Sequence, residues 1–142
     1  MTSTQQKLKV NIEEAAANRK RGGEIRVLLS PRTVGCTSGF GGFVVLQPGE
    51  YISEHYHPYS EEFLYVVEGE FEMTVDGTVF SLKEGDSLLV PINAKHRLVN
   101  RTDKVARGVF QLAPLAPRPE LGHVDTEAPP NAGPNPDVGG GK

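Results

Sequence analysis

Residues 49–69 read GEYISEHYHPYSEEFLYVVEG. Two of the chain's four histidines, His55 and His57, stand two apart here, and Glu61 and Glu62 follow closely. Alternate residues of a strand share a face, so the two imidazoles project together, near enough to hold one metal. Pro58-Tyr59-Ser60 reads as a turn. The strand after it sets Glu62 with Leu64 and Val66 on one face, and Glu61 with Phe63 and Tyr65 on the other. One glutamate can return to the histidines while the other faces out. Imidazole and carboxylate suit zinc, iron, manganese, nickel or copper without choosing among them. The plain alternative, two surface histidines on an edge strand, has to be weighed against the rest of the chain.

That chain has 142 residues, enough for one domain with its own apolar core. Its net charge is −3 and it has no basic stripe, which argues against a nucleic-acid partner. The short run Arg19-Lys20-Arg21 reads as a solvated helix end. Cys36 is the lone cysteine, so no internal disulfide forms, in keeping with a reducing compartment. Apolar runs such as 43–46 and 88–90 are too short to span a bilayer, and MTSTQQKLKV lacks the apolar stretch of a signal peptide. The expectation is a soluble, cytoplasmic protein with no membrane partner.

Three zones follow one another. Residues 1–23 form a polar arm. Asn11 and Glu14 suggest a capping box ahead of Ala15-Ala16-Ala17, with Gly22-Gly23 as a stop, so a short helix is expected over 12–20. Residues 24–112 hold nine strand-like runs: EIRVLLS, FGGFVVL, YISEHYH, EFLYVVEG, EFEMTV, TVFSL, SLLVP, HRLVN and ARGVFQL. Asp76-Gly77 is a two-residue hairpin signal. The expected fold is all-β, a sandwich or barrel. Residues 113–142 carry seven of the 11 prolines and five of the 16 glycines. Composition alone would make this a disordered tail. We expect instead an extended segment packed on the barrel or on a partner subunit.

Residues 85–100, GDSLLVPINAKHRLVN, supply a second block with His96. Together with residues 49–69, and fifteen residues away from them, this block resembles the paired signature motifs of the cupin superfamily. Asn93 departs from the pattern, which usually has glycine there; asparagine tolerates the left-handed conformation better than most residues. The resemblance implies a single-domain jelly-roll barrel with one divalent transition metal, zinc first and iron, manganese or nickel next. Its ligands would be His55, His57, Glu62 and His96. The fourth histidine, His123 in RPELGHVD, is a further candidate, since every other histidine is a predicted ligand. Four neutral imidazoles would leave the ion its full charge and free Glu62 as a base.

RGGEIRVLLSPRTVG, EHYHPYSEEFLYVVEGE, LLVPINAKHRLVN and LAPLAPRPELGHVDTE are also similar to the small cupin cyclases of bacterial aromatic polyketide pathways. That likeness implies an intramolecular aldol cyclisation and aromatisation of a poly-β-ketone, possible delivery by an acyl carrier protein, and a homodimer. Glu62 and His96 are the expected catalytic pair. Tyr51, Ser53, Leu64, Val66, Phe71, Met73 and Leu98 have the inward parity to line a substrate cavity, although ordinary core is the plainer role for each. Two other functions compete: a metal-dependent dioxygenase on a diketone or phenol, and a non-catalytic binding or chaperone-like cupin.

Overall fold

The computed structural model describes residues 5–139. Residues 1–4 of the predicted arm and 140–142 of the predicted tail lie outside the described residues. The strands are β1 (Glu24–Leu29), β2 (Phe40–Leu46), β3 (Tyr51–Tyr56), β4 (Glu61–Glu68), β5 (Glu70–Val75), β6 (Thr78–Lys83), β7 (Ser87–Val90), β8 (His96–Val99), β9 (Ala106–Ala113) and β10 (Val124–Asp125). They form two five-stranded antiparallel sheets, ordered β1-β2-β9-β4-β7 and β10-β3-β8-β5-β6. All nine strand-like runs become strands, and the tail supplies the tenth. The expected all-β sandwich is therefore present, with no helix among the described residues long and apolar enough to cross a membrane.

The core is built by strand alternation. Along β4, Val66 is closed in completely, Leu64 is 1 % exposed and Glu62 comes next on the same face. Along β9 the matching partners are Gly108, Phe110 and Leu112. Met73 on β5 faces Leu98 on β8, and one step further Val75 faces His96. Successive inward positions thus run from solid packing around Val66, Phe71 and Leu82 to the histidines. The hairpin at Asp76-Gly77 forms as its sequence dictates, with φ of 46° and 86°. Asn93 is left-handed at φ 70°.

Two local expectations are corrected. The helix over 12–20 is a single 3-10 turn, Ile12–Glu14. Its Asn11–Glu14 capping box does form, but Ala15 is already extended. None of the turn's residues is buried, so nothing offsets the cost of nucleating a longer helix. Gly22 is a close approach and not a helix stop: a side chain there would meet the Tyr51 carbonyl. Conversely, one unforeseen helical turn, α1 (Pro31–Val34), follows β1. Ser30 and Thr33 cap it reciprocally and Pro31 opens it, a signal that was present in SPRT.

The segment after β9 folds back over the open end of the barrel. Asp125 pairs with His55 in the ladder. Arg21, 8 % exposed, clamps Asp125 with two hydrogen bonds of 2.7 and 3.2 Å and reaches Asn135 at 3.0 Å. Glu127 accepts from Arg97 at 3.0 Å, and Val138 is buried. Its prolines do not prevent order, because side chains and edge backbone satisfy the polar groups that a sheet would otherwise pair.

Candidate metal centre

Four side chains meet at the open end. His55 comes from the end of β3, His57 from just beyond it, Glu62 from the start of β4 and His96 from the start of β8. Their ligand atoms all lie within 4.8 Å of one another. The three rings are packed with centroids 4.4 to 5.2 Å apart. Glu62 Oε1 lies 3.2 Å from His57 Nε2 and 3.1 Å from His96 Nε2. Glu61 points outward with Phe63 and Tyr65, as strand parity requires.

Every imidazole is oriented by a carbonyl. Nδ1 donates to Ser53 O in His55 (2.8 Å), to Gly122 O in His57 (2.9 Å) and to Ala94 O in His96 (3.0 Å). A carbonyl only accepts, so each Nδ1 carries a proton and the Nε2 of each ring is left to face the centre, where its unprotonated form can ligate a cation. Metal–ligand bonds of about 2.0–2.1 Å place neighbouring donors roughly 3.0–3.4 Å apart, and Glu62 sits at such separations from two of the rings.

The clustered groups shift one another's charge. Burial pushes the Glu62 carboxyl up, but hydrogen bonds from His57 and His96 outweigh it and hold the group well below the usual carboxylate range. Burial lowers His96, yet its hydrogen bond to Glu62 outweighs that and raises it. His55 is pushed well down by burial and by the neighbouring His96 and His57. With three imidazoles and one carboxylate converging, the donor set fits a divalent transition cation.

His123 stands apart from this set. It is half-buried on the wall of the same cavity, and burial together with the Arg21 guanidinium lowers it to about 4. Among the described residues Glu62, and not His123, stands with the three histidines, and its carboxylate lies within reach of two imidazoles. Arg21, read from sequence as solvated, is buried and also lines the cavity; its 104-residue separation from Asp125 left no local signal.

The cavity beside the cluster has a volume of about 130 Å³. Leu64, Met73 and Leu98 line it as their parity predicts. Tyr51, Ser53, Val66 and Phe71 do not. Val66 and Phe71 lie in the solid core. Tyr51 and Ser53 are displaced by a bulge: the register shifts between Ile52, opposite Leu98, and His55, opposite His96. Ile52 therefore takes the inward place, and Tyr51 turns out to stack under Arg97 at 4.3 Å. Ser53 is buried and its Oγ has no partner among the described residues.

The family model for the cupin domain matches residues 42–111. The chain is 59% identical over 120 residues to a Streptomyces cyaneus protein named polyketide synthase CurC, covering 84% of this chain and 78% of that one. It is 48% identical over 133 residues to the tetracenomycin polyketide synthase protein TcmJ of Streptomyces glaucescens, covering 93% and 89%. Among solved structures, a double-stranded β-helix protein from Klebsiella pneumoniae superposes with a TM-score of 0.66 at 22% identity, covering 82% of this chain and 95% of that one.

Proposed function

The chain belongs to the cupin family, and from that membership we propose that it is a metal-dependent cyclase that folds and aromatises a poly-β-ketone. The observation that carries this reading is the convergence of three carbonyl-oriented imidazoles and Glu62 at the mouth of an apolar cavity. The likeness to two polyketide synthase proteins along most of their length supports the substrate class.

His55, His57, His96 and Glu62 would hold a divalent metal, zinc in our reading, which supplies Lewis acidity toward a ketone oxygen. The chain's own residues do the rest. Ile52, Leu64, Met73, Leu98 and Phe110 exclude water and confine the flexible chain, so that one carbon meets one carbonyl. His123 is neutral near pH 7 and faces the same space, so a ring nitrogen can accept the proton from the carbon between two ketones. The resulting carbanion attacks a second carbonyl carbon, forming the C–C bond. The new alkoxide takes that proton back from His123. Loss of water and enolisation complete the ring.

A test is conversion of a poly-β-ketone generated in place by a ketosynthase and its carrier. The expected result is one cyclised aromatic product with metal-loaded protein, the same product under anaerobic conditions, and a scatter of spontaneous products with His96→Ala. The imidazole-carboxylate set also suits iron and dioxygen, which favours the dioxygenase as second reading. Oxygen uptake stoichiometric with product, and no anaerobic turnover, would select it.

A further inference from the structure

The inner cavity is small for the proposed substrate. An apolar cavity of roughly 150 Å³ takes up benzene, so about 130 Å³ accommodates one ring and little more. A chain that closes one ring while the remainder is still attached must extend outside it. A larger groove, about 690 Å³, runs between the N-terminal arm and the C-terminal segment. Asn18, Ile25, Val27 and Pro136 line both spaces. The two therefore abut along β1, the edge strand of its sheet, where Asn18 Nδ2 donates to Pro134 O at 3.0 Å.

The charge on this groove runs against that of the chain. Lys7, Arg19, Lys20 and Arg32 border it, against Glu14 and Asp137. That is a surplus of two cations on a chain whose net charge is −3, although Arg19 also pairs with Glu24 at 3.2 Å. Lys20 has no ion-pair partner among the described residues. The side chains of Arg19 and Arg32 are 56% and 65% exposed. A positive mouth leading to an apolar cavity fits a ligand with an anionic stem and an uncharged, ketone-bearing end.

We propose that this groove is the docking mouth for an acidic carrier protein. Lys20 and Arg19 receive its phosphodiester-linked arm, and the acyl chain passes Asn18 to reach the metal centre. The proposal rests on the cyclase reading and assigns the route and partner of that same site.

The test uses the full chain and a purified carrier protein bearing its phosphopantetheine arm, with binding followed by fluorescence anisotropy across a salt series. A second readout is turnover of a short, uncharged poly-ketone thioester that needs no carrier. The variant is Arg19→Glu with Lys20→Glu. The Asn131 contacts at these positions go to backbone carbonyls, which the substitutions keep. The expected result is carrier binding that weakens as salt rises, falls at least tenfold in the double variant, and leaves turnover of the short thioester unchanged. Carrier binding that survives both reversals, or none at low salt, overturns the proposal. A coenzyme A-linked chain that binds as tightly as the carrier also overturns it. Carrier binding to wild type without turnover of either substrate sinks the cyclase reading and leaves the docking mouth standing.

Discussion

Asn93 holds a left-handed backbone (φ 70°) in the turn that delivers His96, and its backbone N–H donates to His57 O at 3.0 Å. Asn93→Gly should be neutral within about 0.5 kcal/mol, whereas Asn93→Val should cost roughly 1–2 kcal/mol and a few degrees of melting temperature. Thermal denaturation followed by circular dichroism checks both. At the centre itself, Glu62→Gln should lose more metal than His123→Ala, and Glu61→Gln should lose none, each read by elemental analysis. The candidate metal ligands were legible because spacing on a strand fixes direction and because few residue types bind metals. The choice between Glu62 and His123 was not legible, since it depends on how a tail some sixty residues further on lies against β3.

The C-terminal segment is the element that completes the site. Gly122 O orients His57 and β10 extends the sheet beside His55. Truncation after Ala116 should weaken metal affinity by about 10–100-fold, measured by chelator competition, with circular dichroism reporting that the barrel persists. Acid should loosen the same segment. The Glu127 carboxyl is held below its ordinary 4.5 by the backbone N–H of Glu54 and then by Arg97. A depressed folded value means that this attachment is fully present above pH 4.5 and fades as pH falls through the lowered value. Amide exchange in residues 124–127 should therefore quicken below about pH 4.5 while the core strands stay protected. Strand positions were readable from alternation and turn residues. The bulge between Ile52 and His55 was not, because Ser53-Glu54 carries no glycine to mark it, and that bulge moved Tyr51 and Ser53 off the cavity wall. The segment's order was equally hidden: its composition signals disorder, while its long-range partners, Arg21 above all, lie elsewhere in the chain.

As a whole, the molecule is a two-sheet sandwich with one end packed solid and the other opened around the four candidate ligands. The nine strands and their hairpins were written locally, in periods of two and in Asp76-Gly77. The closure of the open end was not, because arm and tail meet it from opposite termini. The solid end sets the strands in register, the ladders place the ligands, and the tail fixes one of them and narrows the cavity. All of this serves one claim, that His55, His57, His96 and Glu62 form a metal centre. Elemental analysis of protein purified without added metal tests it most directly, with wild type beside His96→Ala. The expected result is one divalent transition-metal ion per wild-type chain and a site in His96→Ala weakened more than about 100-fold, hence largely empty. A wild-type protein that stays metal-free after incubation with zinc, iron, manganese and nickel, or a His96→Ala protein that keeps its full complement, would contradict it.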